Sequence, residues 1–464
     1  MTKSSPHFAA RVGASFAVAA LLGGCSMIPE LKLPAAPVPE QFANAPEGGI
    51  APPSWREYYA DPALHALIEA ALEHNRDMKI ALARVDEARA LAGIARADRF
   101  PGVDAQGSLN RSRTPADLSP TGRARTSSRY DLGLGITAFE LDFWGHVAAL
   151  NEAALAQYLA SEEAAKSFRV SLIGDVANTW YQLTELAERE HLASETLGSR
   201  KESLELIRKR RDAGLATELE VLAAESLAES VRGQWTELKR QRMQTENALR
   251  LLTGMAVPLP ATTALAAQPQ LAAIAPGLPS QVLLQRPDVR AAEQRLVAAN
   301  ANIGAARAAF FPRISLTGSL GTASSDLSGL FDSGSGVWLF NPVLKWPLFD
   351  AGRTQANLDL AEARKVAAVA DYEKTIQQAF REVADALAAQ ATYGEQLAAL
   401  QANLQAQQAR LERVKARAET GIANYLEVLD AGREAFAAEQ TLATTQRQAL
   451  SSQVALFRAL GGGE

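Results

Sequence analysis

The chain has one cysteine in 464 residues, Cys25, so it closes no disulfide within itself. Aromatic residues make up only 6% of it, and alanine-rich, charge-laced sequence favours long helices over a large aromatic core. Five histidines (7, 65, 74, 146 and 191) show no ligand spacing and five methionines do not cluster, so soft-metal handling has no local support. A net charge of −5 gives no basic footprint for nucleic acid. Beyond residue 25 no apolar run approaches the roughly 20 residues of a membrane-spanning helix, so strands must do any crossing. No Ser/His/Asp set, phosphate-binding glycine loop or cysteine nucleophile occurs, and we expect neither an enzyme nor a cofactor.

The one cysteine stands in MTKSSPHFAARVGASFAVAALLGGCSM. Lys3 and Arg11 precede a short apolar stretch, Val12 to Leu22, which is a secretory signal too short for a stable span. Leu22-Gly23-Gly24-Cys25 looks like a lipobox. Residues 1–24 are then a lipoprotein signal peptide, and Cys25 carries a covalent lipid. Ser26, rather than Asp, points to the outer membrane.

The rest is written twice. Asp77, Arg84, Arg96, Phe100, Pro101 and Gly107 recur 211 residues later as Asp288, Arg295, Arg307, Phe311, Pro312 and Gly318. Further on the offset becomes 207, as in Gly145/Gly352, Gly214/Gly421, Glu220/Glu427 and Gly254/Gly461. The four-residue change falls between residues 109 and 145, where we expect a loop. The boundaries are an extended N-terminal segment (25–61), a first repeat (62–254), a Pro-rich linker (255–287) and a second repeat (288–464). Each repeat begins with a helix, Pro62 to Asp98 or Val289 to Ala309, stopped by Phe-Pro. A β-hairpin follows, 103–142 or 313–350, with the period-two alternation of a half-apolar strand. Next comes a Pro-free stretch of 67 residues, His146 to Asp212 or Arg353 to Glu419, about 100 Å long as one helix. Leu397, Leu404, Leu411 and Ala418, interleaved with Leu400, Gln407 and Val414, mark a coiled-coil seam. Gly214 and Gly421 mark the helix-turn tips. A helix then returns to Gly254 or Gly461, and the first helices could stack on it end to end.

Four strands cannot close a transmembrane barrel, because open edges are not tolerated in lipid. They must be pooled between chains, and dimer, trimer and tetramer all stay open on this count. A soluble coiled-coil scaffold is the reading from another class. It leaves the signal and the apolar hairpins unexplained.

WREYYADPALHALIEAALEHN (55–75), FELDFWGH (139–146), GLPSQVLLQRPDVRAAEQRLVAANANIGAARAAFFPRISLTGSLG (277–321), PLFDAGR (347–353) and NYLEVLDA (424–431) resemble the TolC-like outer-membrane factors, and within them the NodT subgroup of lipoproteins. Gln285 and Arg76 depart from the family pattern, which has Arg and Pro there. The resemblance implies a mixed α and β membrane fold. In it, four strands per chain are pooled into a trimeric 12-stranded barrel, continued by a long α-helical coiled-coil barrel. It implies an outer-membrane exit duct extending into the periplasm. Its partners are two further copies, a periplasmic membrane-fusion adaptor, an inner-membrane resistance-nodulation-division pump and outer-membrane lipids. The cargo is drugs or small toxic compounds; the alternative is the exit channel of a type I polypeptide secretion system. The family's acidic aperture positions fall on Glu427 and Asp430, while Ala223 replaces the aspartate in the first repeat. The strand-end aromatics Phe143, Trp144, Trp338, Phe340 and Trp346 are candidates for interfacial girdles or for packing at the barrel–helix junction.

Overall fold

The computed structural model describes residues 26–39, 42, 48–49, 54–254, 265, 276–277 and 280–463. The leader, Cys25 and most of the linker lie outside the described residues. Among the described residues no helix is long and apolar enough to cross a membrane. The helices are α1 (Trp55–Tyr58), α2 (Pro62–His74), α3 (Arg76–Ala97), α4 (His146–Asp212), α5 (Glu218–Thr253), α6 (Pro287–Ala308), α7 (Arg353–Glu419) and α8 (Tyr425–Ala459). The main strands are β1 (Asp104–Thr114), β2 (Arg125–Glu140), β3 (Arg313–Ser324) and β4 (Gly336–Lys345). The long helices α4 and α7 have the bounds that their Pro-free stretches predict. The chain divides into two compact units.

The first unit takes in the chain through Ala35, Arg84–Glu162 and Ala291–Tyr372. Its sheet is antiparallel throughout, in the order β1-β2-β3-β4, and the β2–β3 ladder joins the two repeats. Alternation puts Leu109, Leu132, Leu134, Leu320, Trp338, Phe340 and Leu344 on one face, all exposed. Asp104, Gln106, Ser108, Arg129, Asp131, Ser315 and Ser319 lie on the other. In the β2–β3 ladder Gly133 faces Gly321, and a Cβ on either would stand 2.3–2.8 Å from the opposing backbone. Only glycine fits so close an approach. β1 and β4 each keep one unpaired edge, and β4 carries Pro342, whose missing N–H suits an edge strand.

The register locates the length difference between the repeats. Asp104 pairs with Gly135, whereas their copies Ser315 and Val343 show the second strands to be 208 apart. Three of the four residues therefore fall at the hairpin tip, in the expected loop. The fourth is a β-bulge: Ile136 and Phe139 face Gly318 and Leu316, so β2 has one residue more than β3 there. Ala138, inside the bulge, takes φ 52°.

At the foot of this sheet Trp144 stacks on Phe311 at 4.8 Å and donates from Nε1 to the Pro312 carbonyl. Trp144 is thus junction packing. Trp346 donates to the Phe310 carbonyl but stays exposed, as do Trp338 and Phe340 on the apolar face. The start of the described chain runs over α6: Asn300 donates to the Pro29 carbonyl, and Gly304 leaves room for the backbone of Ile28.

The second unit takes in Ala36–Ala83, Glu163–Arg290 and Glu373–Glu464. Its core is the aromatic cluster Trp55, Tyr58, Tyr59, Trp180, Tyr181 and Phe457, with Leu64, Leu67 and Ile68. Each such side chain contributes about 1.5–3 kcal/mol by burial. Trp180 donates to Asp61, whose other oxygen caps α2. The 25–61 segment is extended only in part, since Ser54 opens α1 with a full capping box. The linker holds a 3-10 helix, Ser280–Gln285, and its Pro276–Gly277 pairs with Gly48–Gly49. Ser54 also bridges to Gly463, which brings the start of α1 beside the segment that follows α8.

The expected single helix Pro62 to Asp98 is two. Asn75, with ψ 133°, leaves the helical path between α2 and α3. Its Oδ1 accepts from the Met78 amide, and its Nδ2 donates to the Leu252 carbonyl at the end of α5. In the second repeat Arg286 occupies the same place and donates to the Ala459 carbonyl at the end of α8. Each tie satisfies a carbonyl that a helix end leaves orphaned. Gly254 and Gly461, at φ 72° and 90°, lie against these joints.

Candidate functional site

The two tips are built alike. Gly214 takes φ 72° and Gly421 φ 79°. Leu215 donates to the Arg210 carbonyl and Gly214 to Arg211; Ile422 donates to Arg417 and Gly421 to Ala418. Both are Schellman closures, in which glycine avoids the Cβ penalty of a left-handed residue. The returning helices open on capping boxes. Thr217 accepts from the Glu220 amide, and the Glu220 carboxylate accepts from Thr217. Asn424 and Glu427 form the same reciprocal pair. Glu427 is therefore engaged at the cap of α8, as Glu220 is at α5.

Asp430 lies one turn further along α8, half-exposed. Its carboxylate sits 3.2 Å from Arg410 of α7 and 2.7 Å from Arg433, which also reaches Glu434 at 3.1 Å. Glu427 and Asp430 share a helix but not a partner. The aspartate bridges α8 to α7 between two guanidiniums, rather than standing as a bare charge.

Arg410 and Arg433 are absent from the sequence-level candidates. Reading the repeats at the 207 offset exposes them: Arg410, Asp430 and Arg433 correspond to Ser203, Ala223 and Ser226. All three members differ together. In the first repeat the helix pair is tied instead by Arg208–Glu225 at 3.6 Å and Arg211–Glu218 at 3.1 Å. Along α7 the seam residues Leu397, Leu400, Leu404, Gln407, Leu411, Val414 and Ala418 are half-buried while their neighbours are exposed. Cys25, the lipidation candidate, lies outside the described residues. No group of three or more metal-binding side chains occurs among the described residues.

The outer membrane efflux protein family model matches residues 67–255 and 278–462, one segment per repeat. The chain is 48% identical over 454 residues to the solvent efflux pump outer membrane protein SrpC of Pseudomonas putida, covering 96% of each. It is 46% identical over 454 residues to outer membrane protein OprJ of Pseudomonas aeruginosa, covering 96% of this chain and 94% of that one. The open-state structure of the Neisseria gonorrhoeae MtrE outer membrane channel superposes with a TM-score of 0.86 at 37% identity, covering 95% of this chain and 98% of that one. The matches span both repeats and carry the hairpins and the long helices alike: the chain belongs to the outer membrane efflux protein family.

Proposed function

We propose that this outer-membrane efflux channel is the passive exit duct of a tripartite system. Three copies pool twelve strands into one barrel and continue it as a helical tunnel. A periplasmic adaptor docks at the Gly214 and Gly421 tips, and an inner-membrane pump supplies the energy. Relatives named for solvent, toluene and antibiotic efflux favour small toxic compounds as cargo over polypeptides. A lipid on Cys25 adds an anchor beside the barrel. One acyl chain alone binds reversibly, so the two devices reinforce each other. Glu427 and Asp430 belong to the tunnel mouth, where Asp430 holds α8 to α7.

The carrying observation is the sheet. Its two free edges are not self-complementary but complementary to each other, because β4 repeats β2 and β1 repeats β3. A head-to-tail contact of this kind closes into a ring. The β2–β3 ladder also sets the register between copies. Gly133 opposite Gly321 becomes Asn341 opposite Asn110 of the next copy. Chains carrying Asn341→Cys and Asn110→Cys should crosslink to covalent trimers in outer membranes, and Val343→Cys with Asn110→Cys should not. A chain that stays monomeric in detergent, with neither pair reacting, would sink the ring.

A further inference from the structure

The role of Arg200 in α4 rests on the exit-duct reading and deepens it. The seam of α4 is apolar at heptad spacing through Leu186, Ala193, Leu197, Leu204 and Ile207, all buried. Two seam positions remain: Glu190, paired with Arg242 of α5, and Arg200, which is only 7% exposed. The layer before it packs Leu197 with Val231 and Phe436; the layer after it packs Leu204 and Ile207 with Val221, Ala224 and Leu429. Its guanidinium donates to the Leu429 carbonyl of α8 at 3.3 Å. It lies over Gly432, where a Cβ would stand 2.6 Å from its Nη2. Burial lowers its pKa, and nearby Arg433 adds to the effect.

Polar ties between α4 and α8 recur along this antiparallel seam. Arg458 pairs with Asp175 at 2.8 Å. Glu185, buried, accepts from Thr444 and pairs with Arg447. Arg189 donates to Gln440 at 2.7 Å. Arg200 makes the tie nearest the tip, and its contact on α8 is a backbone carbonyl that the helix already uses. A buried guanidinium facing a neutral acceptor is held more weakly than one facing a carboxylate. The same turn of α8 is gripped from the other side by Arg410 through Asp430. At the 207 offset, Arg200 and Gly432 correspond to Gln407 and Glu225, so knob and notch are replaced together in the other repeat.

We propose that Arg200, seated in the Gly432 notch, is the register pin that positions the mouth turn of α8 against α4, and the first tie to release when the duct opens. A polar residue buried between two apolar layers helps to fix axial register, because a shifted register would bury it without its acceptor. Sliding or rotating α8 carries Leu429 and Gly432 away together, so the seated and unseated states are discrete. Arg200 acts through α8 and is a positioning residue.

The test uses the full chain purified from membranes and inserted in planar bilayers. Arg200→Met keeps the bulk and removes the donors; Gly432→Ala keeps the arginine and fills its notch. Both should leave the assembly's size and heat resistance near wild type and raise mean conductance about threefold. Arg200→Lys, which restores a donor of different shape, should fall between. Either variant conducting like wild type, with its assembly intact, overturns the pin. If Arg200→Met fails to assemble, Gly432→Ala alone decides. A wild-type protein that assembles but passes no current fails the exit-duct reading itself, and the pin falls with it.

Discussion

Thr217 and Asn424 do one job with different side chains. Hydrogen bonds from the Thr217 amide and hydroxyl hold the Glu220 carboxyl below its ordinary range. A depressed folded value adds stability that is fully present above about pH 4.3, the unperturbed value, and is lost as pH falls through the folded one. The group is half-buried in the first turn of α5 and, among the described residues, bonds only to Thr217, so the effect is local. Hydrogen exchange should show the first-turn amides of α5 losing protection over that acid window, and Thr217→Ala should remove about 1 kcal/mol there at neutral pH. At the mouth, Asp430→Ala combined with Glu427→Ala breaks two half-exposed ion pairs and one cap. Exposed pairs are worth at most about 1 kcal/mol each. Through the two pairs, about 2 kcal/mol at most, the double variant should therefore shift the open fraction by no more than about thirtyfold, read as raised conductance or weaker cation preference. Unchanged currents would remove both residues from the mouth. The sequence does carry a signal for the capping glutamates that the aperture reading leaves unused: a Thr or Asn three residues before a Glu ahead of an apolar run is a helix-start signature. Arg410 was not legible, since its meeting with Asp430 depends on how a twenty-residue excursion through the Gly421 turn brings α7 back alongside α8.

At the scale of elements the period of the sequence did most of the work. Alternation placed the hairpins, and the absence of proline placed both 67-residue helices. The break at Asn75 escaped, because Arg76 carries no helix-stopping signal and the cause lies at the far end of α5. The bulge escaped for a similar reason: an extra residue in a ladder shows only when both strands are paired. The two joints also differ in what their loss leaves behind. Asn75→Ala abandons one carbonyl and one amide and should cost about 1–2 kcal/mol. Arg286 is 6% exposed and also holds Asp288 at 2.7 Å and Glu382 at 2.8 Å. Arg286→Met leaves the Ala459 carbonyl and two half-exposed carboxylates without their donor and should cost about 2–4 kcal/mol. Thermal melting of the two variants should rank in that order; equal melting points would show that the joints are interchangeable.

At the scale of the whole molecule the repeat decides how copies meet. A sheet whose edges match each other but not themselves cannot form a two-fold pair through those edges. It must add copies head to tail until the ring closes, and the apolar face then forms a continuous outer band. The number of copies was not legible, because closure depends on curvature. Part of that curvature resides in the glycine pair Gly133–Gly321 and the bulge beside it, which are features of the folded ladder.

The bridge from Ser54 to Gly463 has a consequence for the order in which the chain is written. With its start and finish side by side, the helical core has no intrinsic beginning. A gene joined across that bridge and reopened between Gly254 and Arg286 would encode the second repeat before the first. The segment ahead of Ser54 would be moved to the new start. Such a permuted chain should still assemble and conduct, because nothing in the ring distinguishes a repeat that comes first from one that comes second. Failure to assemble would show that the order of synthesis itself is part of the fold.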